Sequence, residues 1–168
     1  MSFENFFPKG RFVSSGESNR NIFVSSGPCF TLDADEEKVW LLRTPVEPYI
    51  FFVFEFQSSR NGEINQYRHP TITAAGTLCV CDNNNDNIDD TPRLQVYHEP
   101  TYSDAGTNFF SVVVGTDGDP ANNIPDVGGN YNRRRGRILR RDTDYLLSFK
   151  SLADNNRVSH LFTFAEES

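Results

Sequence analysis

The chain is poor in several things, and each shortage removes a class of protein. Its 168 residues contain no apolar run of ~18, the length a helix needs to cross a bilayer, so no spanning helix is expected. Cysteine occurs three times, at Cys29, Cys79 and Cys81. That number is odd, and too small for a disulfide scaffold in a chain of this length. Cys79 and Cys81 would share one face of a strand, but no third and fourth ligands stand at zinc-site spacing, so reduced thiols are expected. Lysine is rare, since thirteen of the 16 basic residues are arginine. The first eight residues have neither a basic n-region nor an apolar h-region, so no secretory leader is expected.

Catalytic signatures are missing too. No Ser or Cys sits in a nucleophile elbow, and there is neither an HExxH nor a glycine-rich phosphate loop. The 23 acidic residues would give almost any β-protein a carboxylate pair, so such a pair carries no specificity. Of the three histidines, His69, His98 and His160, only His98 has an acid beside it, Glu99. A His–Glu neighbour at a strand end is ordinarily structural. Asp82, Asn84 and Asp86 match the first three ligand positions of an EF-hand loop. Asn87 replaces its glycine and Arg93 its final glutamate, so Asp82–Asp90 reads as a solvated loop. No catalytic, cofactor or metal residue is assigned, and a non-enzyme that uses no cofactor is expected.

What the chain has is phenylalanine, fifteen of them, and turn formers: 16 Asn, 11 Gly and 9 Pro. Helical periodicity is almost absent. In Leu32–Leu42, Asp33 and Glu36 hint at a helix start, but Val39, Trp40, Leu41 and Leu42 are consecutive and run into Arg43-Thr44-Pro45. A turn at Asp33–Glu37 followed by a strand is expected. Ile50–Phe56 is strongly β-prone, with Phe52, Phe54 and Phe56 on one face and Phe51 and Val53 on the other. Both faces being apolar, the strand should be central, and its second face is a candidate subunit contact. Further strands are expected at Arg93–His98, Phe109–Val114, Asp144–Lys150 and Val158–Phe164, with Asp154–Asn156 turning between the last two. Short strands between turn clusters indicate one all-β sandwich or barrel over residues 13–168. Residues 1–12 read as an arm carrying Phe3, Phe6, Phe7 and Phe12, which should dock on its own domain or on a partner. A motif also recurs after thirty residues: Pro70-Thr-Ile-Thr-Ala-Ala-Gly-Thr77 and Pro100-Thr-Tyr-Ser-Asp-Ala-Gly-Thr107. The copies suggest equivalent turns in adjacent hairpins, with Gly76 and Gly106 at positive φ.

Charge is uneven. The net charge is −7, yet Arg133, Arg134, Arg135, Arg137, Arg140 and Arg141 fall within nine residues. They suit nucleic acid, an acidic protein surface, or pairing within the chain. The acidic remainder favours the last two, so neither nucleic acid nor membrane is expected as a partner.

From Ile50 to Glu166 the order of parts resembles small structural proteins of tailed bacteriophages. These parts are the Tyr67–Thr77 turn, the Asn-rich loop at Asp82–Asn87, Val96–Thr107, Arg137–Leu147, and the ending Phe162-Thr-Phe-Ala-Glu-Glu167. The usual aromatic-Tyr-Glu ending is here Phe164-Ala165-Glu166, and the arginine cluster is denser than in such proteins. The resemblance implies an antiparallel β-sandwich, jelly-roll-like. It also implies a virion protein made in the host cytoplasm, typically a capsid decoration (cement) protein on the outer surface of the head. The major capsid protein and further copies in a homotrimer would be its partners. A fibre, tail or baseplate module that binds a host receptor or glycan is the alternative. Phe3, Phe6, Phe7, Phe12, Phe51, Val53 and the six arginines would then be contact residues.

Overall fold

The computed structural model describes residues 22–83, 91–116, 128–132 and 136–167, without the side chains of Asn132 and Glu167. The N-terminal phenylalanines, Arg133, Arg134, Arg135 and the loop from residue 84 to 90 lie outside the described residues. In chain order the strands are β1 (Ile22–Ser26), β2 (Phe30–Leu32), β3 (Glu37–Arg43), β4 (Tyr49–Ser58), β5 (Gly62–Arg68), β6 (Thr71–Ala74), β7 (Thr77–Leu78), β8 (Asp82–Asn83), β9 (Gln95–His98), β10 (Thr101–Asp104), β11 (Thr107–Val114), β12 (Asn130–Asn132), β13 (Arg137–Leu139), β14 (Asp144–Ser151) and β15 (Asn156–Glu167).

They form two main antiparallel sheets packed face to face, so the protein is an all-β sandwich. One sheet runs β12-β4-β15-β1-β8, with β13 also on β4 and β2 also on β15; the other runs β11-β5-β14-β3-β9-β7. The pairs are nested: β1 and β2 with β15, β3 with β14, β4 with β12 and β13, and β5 with β11.

The core follows from the period of two along each strand. Phe52, Phe54 and Phe56 of β4 point inward, as do Phe162 and Phe164 of β15 and Tyr145, Leu147 and Phe149 of β14. Trp40 of β3 meets Phe162 edge-on with centroids 5.5 Å apart, and Phe23 stacks on Phe164 at 5.3 Å. Rings this large bury more apolar area per ordered residue than aliphatic side chains do, at roughly 2–3 kcal/mol each. Polar atoms at the rim are tied down. Buried Asn156 accepts a bond from the Arg60 N–H through Oδ1 and donates through Nδ2 to Asn61 O and Ser151 Oγ, joining two turns. Buried Glu166 accepts bonds from the Arg93 and Leu94 N–H groups, at 2.7 and 2.9 Å, and so ties the lead-in to β9 to the opposite sheet. Desolvation pushes its pKa up, against the pull of those two bonds.

The repeated motif has a different role from the one expected of adjacent hairpins. Its copies are interlocked. β6 pairs with β10, β7 of the first copy pairs with β9 before the second, and β11 after the second pairs with β5 before the first. His69 and Glu99 precede the two prolines, both at positive φ (58° and 55°). Their N–H groups donate to Asp144 O of β14 and Val39 O of β3, equivalent sites on paired strands. Gly76 and Gly106 have φ of 90° and 83°, and a Cβ on either would stand 2.3 or 2.4 Å from the backbone oxygen of His98 or Arg68. Only glycine satisfies both conditions.

These exchanges reveal an approximate two-fold axis. It passes through Leu41 opposite Leu146 in one sheet and Phe54 opposite Phe162 in the other. Rotation about it carries Trp40 to Tyr145, His98 to Arg68, Thr77 to Thr107 and the β1–β2 edge to the β12–β13 edge. Leu41 and Leu146 face away from the core yet are buried. Tyr102 of the β6–β10 ribbon lies near Tyr67 and Glu37 of that same face, where desolvation and their charges raise its pKa.

Candidate functional site

Among the described residues, two places concentrate side chains with something to bind. The first is the outer face of the seven-stranded sheet where β13 meets β4. Side chains alternate along β4, so Tyr49, Phe51 and Val53 share this face, and Ile138 of β13 lies opposite Phe51. Phe51 and Val53 form no open patch. They are buried in the single chain, in a cluster with Ile22 and Ala165. The backbone of Gly136 rests on the Phe51 ring, so closely that a Cβ would stand 2.2 Å from its Cζ. The exposed apolar atoms are displaced to the rim, on Ile138 and Tyr49 (each 47% exposed) and on Val46 (68%) in the preceding loop.

Arginines frame this rim. Arg141 Nη1 donates to Glu47 Oε1 and Nη2 to Tyr49 Oη, both at 3.1 Å, while its guanidinium lies 4.2 Å from the Tyr49 ring centroid. Arg140 is exposed, and its N–H donates to Tyr145 Oη at 2.8 Å. Arg137 points elsewhere, over the Phe109 ring at 4.5 Å. Among the described arginines of the cluster, Arg141 pairs within the chain, Arg137 lies over Phe109 and the Arg140 side chain is exposed. At the same end, a polar hollow of about 370 Å³ lies between the Arg43–Asp144 ion pair and His69–Pro70.

The second place is a hollow of about 390 Å³ at the opposite end, which motif reasoning missed. The segment Thr77–Asn83 crosses from β9 in one sheet to β1 in the other, and the hollow lies beneath it. Phe30, Trp40, His98 and His160 make its inner wall, and Leu78 and Val80, 58% and 77% exposed, its lip. Trp40 stands between the imidazoles, 5.8 Å from His98 and 4.7 Å from His160. Burial, and secondarily the charge on His98, lower the His160 pKa to about 4, so its imidazole is neutral near pH 7. His160 Nδ1 is buried and finds no hydrogen-bond partner. Lys38 Nζ is bound to Glu99 Oε1, which holds the Glu99 carboxyl below the usual carboxylate range. The same Glu99 Oε1 also lies 3.9 Å from His98 Nε2. The three cysteines are thiols. Cys29 is exposed, while burial raises the pKa of both Cys79 and Cys81, the latter to about 11. Nothing in the linear sequence brings Phe30, Trp40, His98 and His160 together; only their strand pairings do.

Comparison with family models, with curated proteins and with solved structures returned no match.

Proposed function

We propose that the chain is a non-enzymatic virion structural protein, a capsid decoration protein that binds the outer surface of an icosahedral phage head. It acts by mass action. A protein that binds the assembled shell and not its dissociated subunits stabilises the shell by an amount that grows with its free concentration. The order of sequence motifs from Ile50 to Glu166 supports this reading, and one structural observation carries it: the rim made of Ile138, Tyr49 and Val46, framed by Arg140 and Arg141. Tyrosine and arginine dominate binding hot spots because they bring area and directed hydrogen bonds together. Arg141 is already held by Glu47 and Tyr49, so less side-chain freedom is lost on docking. Arg133, Arg134 and Arg135, adjacent in sequence, bring three further positive charges that suit an acidic partner. The partners are the major capsid protein and, in a homotrimer, further copies of this chain.

The alternative, a fibre, tail or baseplate module that grips a host glycan, needs an aromatic ring offered to solvent. Trp40 is 1% exposed, and the exposed Tyr49 ring already carries the Arg141 guanidinium 4.2 Å from its centroid, which favours decoration. The test is sedimentation of purified protein with phage shells stripped of it. Wild type should saturate the shells, and Ile138→Asp, at an exposed edge position, should lower occupancy at least tenfold. Equal binding by the two proteins, or no binding by wild type, would refute the proposal.

A further inference from the structure

The two-fold axis relates the hollow to the Arg68–Tyr145 end, where the equivalent space is filled. In the second copy of the motif, Gly106-Thr107-Asn108 is followed by Phe109, and a β-bulge between Asn108 and Phe110 frees that residue from the ladder. The Phe109 ring packs edge-on against Tyr145 at 6.0 Å and lies 5.8 Å from Arg68 and 4.5 Å from Arg137. Tyr145 and Arg68 are the counterparts of Trp40 and His98, and β13 that of the edge holding Phe30. In the first copy, Gly76-Thr77-Leu78 is followed by Cys79, which stays in the ladder opposite Val96, the place that Phe110 takes opposite Gln66, so no residue answers to the bulged Phe109. No ring is supplied there, and the space bounded by Trp40, His98 and Phe30 is left as the hollow.

We infer that this hollow is a binding site for a small, neutral molecule carrying one aromatic ring, which takes the place that Phe109 takes at the other end. Four observations fix the chemistry. The walls are the rings of Phe30, Trp40, His98 and His160, which suit stacked or edge-on contact with a further ring. The formal charges at the site, Lys38 and Glu99, neutralise each other, so the site selects no ionic ligand. The imidazole of His160 is neutral near pH 7, and its buried Nδ1 has no hydrogen-bond partner within the protein. The volume of about 390 Å³ lies within the usual range for small-molecule pockets, ~300–1,000 Å³. A phenol meets all four conditions. At the filled end, Arg68 and Arg137 flank the ring as cations; at the open end His98 stands in the place of Arg68 and His160 in the place of Phe52, so the guest is held by apolar contact and hydrogen bonding and can leave.

Trp40 is the sole tryptophan and lines the site, so its fluorescence reports occupancy directly. Phenol titrated into the full-length protein should change that fluorescence saturably, and cyclohexanol should bind at least five-fold more weakly. Cys79→Phe should supply the missing ring, abolish the phenol response and raise the melting temperature. In the unmodified protein, nuclear Overhauser contacts from phenol protons to the Trp40 indole and His160 imidazole should appear, which keeps the test valid even if Cys79→Phe does not fold. A linear, unsaturated response, equal affinity for cyclohexanol, or an absence of those contacts at high phenol concentration would overturn the assignment. So would a folded Cys79→Phe protein that binds phenol as wild type does.

Discussion

The two ends of this sandwich are built on one plan and finished differently. At one end Phe109, Tyr145, Arg68 and Arg137 make a closed cluster; at the other, Trp40, His98, His160 and Phe30 surround a space. The backbones match down to positive-φ residues before Pro70 and Pro100 and glycines at positions 76 and 106. The difference lies in the bulge, which adds Phe109 to one ladder, whereas Cys79 stays in the other ladder opposite Val96 and no residue there answers to Phe109. A repeated scaffold can thus hold one end for stability and leave its twin free to bind.

The largest expected effect tests the equivalence of the ends. Gly76→Ala and Gly106→Ala each place a Cβ within 2.4 Å of a backbone oxygen at positive φ, so each should cost at least about 3 kcal/mol in urea unfolding. Losses that differ by more than half would break the two-fold account of these turns.

Next, the open end should be the pH-sensitive one. His160 has a folded pKa near 4 against 6.5 for the free side chain, so between those values the unfolded chain binds the extra proton. Stability is fully present above pH 6.5 and is lost as the pH falls to about 4, by about 3 kcal/mol in all. Glu166, whose pKa is raised, acts in the opposite sense around its own titration. His160→Phe, which copies the two-fold counterpart Phe52, should flatten the fall; an unchanged pH profile would remove His160 as its cause.

Phe109→Ala should cost about 2 kcal/mol, less than for a fully buried ring, and should open a second site for phenol. Loss of stability without that second site would show the ends to be less alike than their backbones. The smallest effect is kinetic. With a thiol reagent at pH 8, one cysteine per chain, the exposed Cys29, should react quickly, and Cys79 and Cys81 slowly, because burial raises the pKa of both.

Much of this architecture was legible before any coordinates. The alternation in Ile50–Phe56 and Tyr145–Phe149 announced strands and their inward faces, and the Asp33–Glu37 turn formed as expected, the Asp33 N–H donating to Glu36 Oε2. Central strand β5 was not legible. Gly62-Glu-Ile-Asn-Gln-Tyr-Arg68 reads as polar, and Asn65 and Gln66 are buried only because β11 and β14 flank them. The motif copies were visible, but their interlocking depends on pairings across the whole sheet that no local pattern encodes. The second face of β4 read correctly as apolar. Its cover came from Ile22, Ala165 and Gly136 of the same chain, which lie far from it in sequence.

Attachment to a shell is the proposed role of this protein, and a cryo-electron microscopy reconstruction of phage particles saturated with it tests that proposal most directly. The account predicts density for the sandwich on the outside of the head, with the β13 edge and Arg140–Arg141 turned toward the capsid lattice. Density on the tail or fibres, or a sandwich on the head with that edge turned to solvent, would contradict it.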